Sequence, residues 1–552
     1  MKYMPKLKLV KPIGGFHGVS AVFPTLKDII DYEEKKITVN QGYPRFVTHP
    51  LVKKIEGDYK KKFGALGAIS CHSYETAVFL VFDYFFKKGN KLHFENPLIL
   101  QFYNSLTSKF KNVVEKTNIL DANILFLEAQ GNQAKNSLNS QVKVGILGNN
   151  YIDENVKNNF DILIYHEKIN DIGIILIYNK RYAIFEILRR HCGFNVSSRK
   201  LCNRRRISND LVEQSEFSLK NRIADLENGD PEHCYLYPSG MAAIFTSILS
   251  LISDSKSKII ALGSLYVDTL RILEIWPNRY NLPNTVFIRD QPEVNLEKLI
   301  DKNTAGVIVE FPSNPLIQLV DIEKIVKISH SIGAKVIVDN TIATPYNFNP
   351  FDHGVDITVH STTKFLSGKN NHIGGVILTK DHDSGERIGT FNKLINIKMN
   401  YNDIRVLTRN IKKFESRMRI INDNSFKIAN FLSTHKAIKH VYYPGLENNP
   451  NHVLMKKYLT GGSGLLSFTL NESTMENAEK FYDNLLPPVL KGPSLGSEKT
   501  LLSPYVIMAH YEDSKEELER LDFDFYLMRL SIGIEDAETI INSLNRALSY
   551  VK

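Results

Sequence analysis

An α/β fold is predicted, with a mostly parallel sheet covered by helices, an extra region before it and a smaller α+β domain after it. Three observations predict it. From about residue 235 short apolar runs alternate with helical patterns. The runs, such as "AGVIVEF" and "KVIVDN", are continuous rather than alternating, as expected of strands buried on both faces. And Tyr266, Glu310, Asn314, Asp339 and Lys364 stand just past or at the ends of these runs, where open α/β sheets place ligands.

Taken in order, "NQAKNSLNSQ" at 132–141 reads as a loop and "VKVGILG" at 142–148 as a strand with a turn. The glycines Gly145 and Gly148 have the wrong spacing for a dinucleotide fingerprint. "SGMAAIFTSILSLI" at 239–252 reads as a helix entered through Ser239. Strands are expected at 258–263, 305–311, 335–340 and 356–360. Between them, 321–333 is an amphipathic helix with Ile322, Ile325, Val326 and Ile332 on one face and Gly333 as its stop. Past about 386 the texture changes. A strand is expected at 461–470, and a helix opened by a Ser473–Glu476 capping box follows. A last strand at 526–534 precedes a helix opened by Asp536. Three regions result: an N-terminal extension at 1–200, a large domain at 201–385 and a C-terminal domain at 386–552. No internal repeat is obvious.

Composition bounds the function. The chain has 552 residues, 43% of them hydrophobic and 23% charged, which fits a soluble protein of two or three domains. Its net charge is +9, but the basic residues are interspersed with acidic ones, as in "KKIEGDYKKK". That pattern reads as a solvated face, not as a nucleic-acid footprint. Cysteines 71, 192, 202 and 234 form no CxxC pair and no zinc pattern, so neither a disulfide framework nor a metal is expected. The apolar stretch "GIILIY" is too short to span a bilayer, and the N-terminus lacks the apolar core of a secretory signal. A cytoplasmic protein with no membrane partner is the simplest expectation.

Each strand-end residue alone is ordinary. Asp339 suits a helix cap, Tyr266 a core aromatic, Ser239 a plain N-cap, and Lys364 the surface. Together they match what a phosphorylated pyridine aldehyde needs. Lys364 offers an amine for a Schiff base. Asp339 offers a carboxylate for the pyridine nitrogen. The helix start at 239–241, with Ser361 and Thr363, offers N–H groups and hydroxyls to a phosphate. Tyr266 offers an aromatic face to the ring.

The stretch "VIVDNTIATPYNFNPFDHGVDITVHSTTKFLSGKNNHIGGVI" resembles the signature region of the Cys/Met-metabolism family of pyridoxal-phosphate enzymes. "YPSGMAAI", "EFPSNP", "PSLGSEKTLLSP" and "RLSIGIED" follow the family's order, so the resemblance covers roughly 204–552. It is nearest to fungal cystathionine γ-synthase-like proteins with an N-terminal extension. The resemblance implies a fold type I, aminotransferase-like architecture with a seven-stranded type of sheet, and pyridoxal 5'-phosphate as cofactor. It makes Lys364 the Schiff-base lysine, Asp339 the pyridine-nitrogen partner, and Gly240, Met241, Ser361 and Thr363 the phosphate ligands. Tyr266 would stack on the ring and assist proton transfer, and Asn314 would contact the ring hydroxyl. Ser494 and Arg529 would bind the substrate carboxylate, for which a guanidinium fork is suited. Small amino-acid substrates and a homodimer or homotetramer are implied as well. The reaction favoured is γ-replacement of a homoserine ester by cysteine to give cystathionine. Lyase or sulfhydrylase chemistry, or a weakly active regulatory homologue, stands beside it.

Two departures stand out. The family's Tyr-x-Arg-x-x-Asn-Pro phosphate clamp, which reaches the neighbouring subunit, has only a partial match at "RRRISND", with Arg206 and Asn209 at the right spacing. A second candidate, "GYPRFVTHP", offers Tyr43 and Arg45 from the N-terminal region. In "SLGSEKT", Lys499 stands where the family usually has a glutamate that bears on reaction choice.

Overall fold

A computed structural model describes residues 6–40, 48–110, 113–128, 141–147, 159–202, 207–253, 256–289 and 291–551. Tyr43, Arg45 and Arg206, and most of the loop expected at 132–141, lie outside the described residues.

Seven N-terminal strands form one sheet: β1 (Gly67–Cys71), β2 (Asn90–Phe94), β3 (Val114–Lys116), β4 (Ile124–Glu128), β5 (Val142–Leu147), β6 (Ile162–Glu167) and β7 (Ile172–Ile177). Their order is β1-β7-β6-β5-β4-β2-β3. All pairs are parallel except the two made by β7, which runs against both neighbours.

Seven more strands form a second sheet: β8 (Cys234–Tyr237), β9 (Lys258–Leu262), β10 (Val286–Ile288), β11 (Thr304–Glu310), β12 (Lys335–Asp339), β13 (Ile357–His360) and β14 (Gly375–Thr379). Their order is β8-β14-β13-β12-β11-β9-β10, with β14 antiparallel to both neighbours. Every residue of β7 and of β11 is buried, as helices on both faces require. The expected strands of the large domain are all present.

The two sheets therefore share one strand order and one pattern of directions. This corrects the expectation that the chain lacks an internal repeat. The repeat is carried by the order of strand pairing, which residue identity does not record.

Helices α1 (Tyr74–Phe85), α2 (Phe185–His191), α3 (Gly240–Leu251), α4 (Val267–Tyr280) and α5 (His382–Leu394) lie between the halves. Their apolar faces merge into one cluster. Phe245 of α3 is fully buried, with ring centroids 6.4 Å from Phe79, 5.6 Å from Phe194, 4.1 Å from Trp276 and 6.3 Å from Phe391. Removing such a ring costs about 3–5 kcal/mol. Because the cluster belongs to both halves, Phe245→Ala should lower the thermal midpoint as one cooperative transition. A calorimetric trace that splits in two, or does not move, would contradict this packing.

The C-terminal domain carries a five-stranded sheet built from Ile438–Tyr442, Leu465–Leu470, Met528–Ser531, Leu501–Pro504 and Leu490–Lys491, in that spatial order. The N-terminal helix Leu26–Glu33 packs on this domain, with the Leu26 N–H donating to Asp483 at 2.8 Å. Asp536 caps the last helix as expected, accepting from the Thr539 N–H. The capping box at Ser473 does not form. The cap of helix Met475–Asp483 is Thr474, because the Ser473 hydroxyl donates to Asp524 at 2.5 Å. No helix among the described residues is long and apolar enough to cross a membrane.

Candidate active site

A cavity of about 190 Å³ opens at the carboxyl ends of β11, β12 and β13. Glu310, Asn314, Asp339, Ser361, Thr363 and Lys364 line it from those strand ends. Gly240, Met241 and Tyr266 line it from the starts of α3 and α4, and Arg529 from the C-terminal domain. The sequence-predicted residues that are described thus converge on one space, with Ser494 against it through Lys364.

Lys364 sits on the turn after β13 and is only 8% exposed. Its Nζ donates to Ser494 Oγ at 3.3 Å. Thr362, between the two pocket hydroxyls, is turned away and hydrogen-bonds His372 at 3.0 Å. Ser361 and Thr363 therefore share one face of this turn, and Thr362 serves the core.

Asp339 ends β12. Its Oδ1 accepts from the Thr341 N–H at 3.0 Å and the Thr341 hydroxyl at 2.5 Å. The same hydroxyl oxygen accepts from the Ser361 N–H at 2.8 Å, which ties the two strand ends together. Asp339 keeps part of its surface open to the cavity, yet protein surrounds the rest. Burial pushes its carboxyl up, against the pull of the Thr341 bonds and of nearby His360. Glu310, next to it in register, is pushed well above the usual carboxylate range, first by burial and then by the charge of Asp339. The two carboxyls oppose each other's ionisation, and the Thr341 bonds favour the charged form of Asp339.

The Glu310 Oε2 accepts from the Tyr266 N–H at 2.8 Å, fixing Tyr266 at the head of α4. The Tyr266 hydroxyl donates to Asp268 at 3.3 Å. On the opposite side Arg529 donates to Asn314 Oδ1 at 3.1 Å and to the Pro493 carbonyl at 2.6 Å. Its guanidinium carbon lies 5.0 Å from the centre of the Tyr505 ring. A wall that presents a cation to the cavity is therefore built from Arg529, Asn314 and Tyr505.

These residues fit pyridoxal phosphate. A cradle exists for the phosphate: a Cβ added to Gly240 would stand 2.8 Å from Ser361 Cβ, so only glycine lets the start of α3 approach this turn. First-turn N–H groups of a helix have no partners within it and serve anions. The amine of Lys364, the carboxylate of Asp339 and the ring of Tyr266 surround the remaining space.

Sequence reading missed the wall contributed by the N-terminal half. His17, Thr48, His49, Arg190, Ser197 and Ser198 also line the cavity. His17 Nδ1 and Ser198 Oγ are hydrogen-bonded at 2.8 Å. Burial, aided by Arg199 and His49, lowers His17 to about 4, so it is neutral at pH 7. No local pattern marks these residues, because their neighbours in space are hundreds of positions away. Asp268, two residues after Tyr266, was within reach of local inspection. Thr48 and His49 lie within the "GYPRFVTHP" candidate clamp, three and four residues after Arg45. Lys499 is exposed, and its neighbour Glu498 lies 3.6 Å from Lys369 and 3.9 Å from Arg417. Among the described residues no cluster of His, Cys, Asp and Glu could hold a metal ion.

Comparison with known proteins shows the family. The sequence pattern of the family described as "Cys/Met metabolism PLP-dependent enzyme" matches residues 205–549. Cystathionine gamma-lyase of Bacillus subtilis (strain 168) is 33% identical over 334 residues, covering 60% of this chain and 86% of that protein. A cystathionine beta-lyase of Lactococcus lactis subsp. cremoris is 35% identical over 338 residues, covering 60% and 86%. The solved structure of cystathionine gamma-lyase from Lactobacillus plantarum, complexed with L-serine, aligns with a TM-score of 0.57 at 28% identity, covering 61% of this chain and 86% of that one. A putative O-acetylhomoserine (thiol)-lyase from Campylobacter jejuni, whose structure carries a pyridoxyl-lysine monophosphate, aligns with a TM-score of 0.57 at 29% identity, covering 61% and 86%. The chain with this strand-end lysine, carboxylate and phosphate cradle is a fold type I enzyme and belongs to the Cys/Met-metabolism family of pyridoxal-phosphate-dependent enzymes.

Proposed function

We propose that the protein carries out γ-replacement on an O-acyl-homoserine, joining it to cysteine to form cystathionine and release the carboxylic acid. The observation that carries this reading is the convergence of Lys364, Asp339 and Arg529 on one cavity, with Ser494 bonded to the lysine. Pyridoxal phosphate, when bound, supplies an electron sink for charge that develops on the substrate's α-carbon. Asp339 would hold the ring nitrogen's proton, and Gly240, Met241, Ser361 and Thr363 the phosphate. Arg529 would clamp the substrate carboxylate with its fork, aligned by Asn314 and the Pro493 carbonyl. Lys364 Nζ then takes the α-proton, from a position fixed by Ser494. Tyr266, with its hydroxyl on Asp268, is placed to pass a second proton. The buried walls keep water from competing with the incoming thiolate.

An elimination reading stands beside this one, because cystathionine lyases are prominent among the similar proteins. It uses the same residues and differs in whether a thiol or water captures the product end. The test is a substrate panel read by mass spectrometry: homoserine esters with cysteine or with sulfide, then cystathionine alone. Cystathionine from ester and cysteine supports replacement. Turnover of cystathionine alone, with no synthesis, replaces it by the lyase reading. Bound cofactor with no turnover of any substrate would favour a regulatory homologue.

Arg529→Lys keeps the charge and loses the fork. Hydrogen bonds to charged groups are worth about 1.5–3 kcal/mol, so KM for the amino acid should rise about tenfold to a hundredfold. Cofactor absorbance should be unchanged. An unaltered KM would remove Arg529 from the carboxylate site.

A further inference from the structure

We infer that the N-terminal half is a chemically silent second copy of the cofactor-binding half, and that it serves as a built-in partner completing one cofactor pocket per chain. The inference rests on the cofactor-site reading above and adds the origin of the opposite wall.

The two halves correspond beyond strand order. Cys71 ends β1, and Ser73 caps α1 two residues later; Tyr237 ends β8, and Ser239 caps α3 two residues later. The contacts between them are reciprocal. Ser239 Oγ donates to the Gly193 carbonyl at 2.8 Å, just past α2. Ser73 Oγ donates to the Ile395 carbonyl at 3.1 Å, just past α5. Each acceptor follows the helix that succeeds the last strand of the opposite copy. Phe79 and Phe245 hold the same place in α1 and α3, and their rings meet at 6.4 Å. Residue i meeting j while j's counterpart meets i's is the signature of a twofold interface, here within one chain.

The copy has lost the chemistry. Residues 361–374, with Lys364, join β13 to β14, whereas only residues 168–171 join β6 to β7. β12 ends in Asp339 and β5 in Leu147. Tyr74 opens α1 where Gly240 opens α3, and its ring stacks on His166 at 5.0 Å and 20°. The phosphate cradle of the copy is thus filled by a side chain. What the copy retains is its wall of the live pocket. Gly193 has φ +71°, and a Cβ there would stand 2.2 Å from the Ala242 nitrogen and 2.3 Å from Ser239 Oγ, at the start of α3.

The test pairs two full-length variants, Lys364→Ala and Gly193→Val, carrying different tags and co-expressed with pyridoxal phosphate. Borohydride reduction followed by peptide mass spectrometry reads cofactor fixed to Lys364, without any substrate. Wild type should fix one cofactor per chain; no fixation would fail the cofactor reading itself. Gly193→Val alone should fix at least tenfold less. Ser198→Trp, entering the cavity from the same half, replaces it if that chain does not fold. If the wall is supplied within the chain, mixed oligomers stay at the level of the Gly193→Val chain, and so does a preparation that stays monomeric. Recovery toward half of the wild-type signal in mixed oligomers would show that the wall comes from a second chain, and would overturn the inference. So would a Gly193→Val or Ser198→Trp chain that folds and fixes cofactor as wild type does.

Discussion

Lys364→Ala should abolish turnover and leave the fold standing. The side chain is buried at the end of a strand whose backbone bonds do not depend on it, and its Nζ donates to Ser494 Oγ at 3.3 Å. Truncation removes an amine from a cavity without opening the core. Loss of a positioned general base costs about 10²–10⁴ in rate, and loss of covalent attachment of the cofactor adds to it. The measurement is steady-state turnover beside circular dichroism of the same sample. The variant should also fail to retain cofactor after borohydride treatment, which in wild type bleaches the yellow colour and fixes the cofactor to Lys364. Undiminished turnover in a folded Lys364→Ala protein would sink the mechanism.

Asp339→Asn has effects of opposite sign on the apoprotein and the holoprotein. In the apoprotein burial raises the carboxyl, and the pull of the Thr341 bonds and of His360 does not offset it. A raised acid makes a folded-state cost that is present above its folded value and disappears as pH falls below the unfolded one. Asparagine removes that cost while keeping an oxygen for the two Thr341 bonds, so at neutral pH the apoprotein should melt no lower than wild type. With cofactor the balance reverses. A charge-assisted bond worth about 1.5–3 kcal/mol is lost, so affinity falls about tenfold to a hundredfold. Turnover falls further, by at least about a hundredfold, because the ring nitrogen loses the charge that keeps it protonated as the reaction proceeds. Equal effects on both forms would remove Asp339 from the ring nitrogen.

The cofactor half was legible because its chemistry is local. Strands recognisable as continuous apolar runs end in Glu310, Asp339 and the turn to Lys364, and the sheet's own geometry gathers such ends. The choice of Ser361 and Thr363 from "STTK" agrees with the turn's geometry, since Thr362 pairs with His372 while its neighbours face the cavity. Ser473 was misread because its hydroxyl is captured by Asp524, fifty residues on, and Thr474 takes the cap instead. A capping motif states what a hydroxyl can do, while a tertiary neighbour states what it does.

The N-terminal half shows the opposite case. "ILIYHE" and "IGIILI" are plain strand sequences, yet nothing in them tells which strands they join. The pairing of β1 with β7 spans about a hundred residues, and only burial on both faces selects it. His17, His49 and Ser198 reach the cavity from three separated segments, and of the three only His49 stands in a stretch that the sequence singles out. The sequence by itself determined the cofactor, and it offered residues for its amine, nitrogen and phosphate, because those bonds need particular atoms at strand ends. Only the tertiary structure decided what closes the pocket, because an enclosing wall needs shape and burial, which no local pattern of residues records.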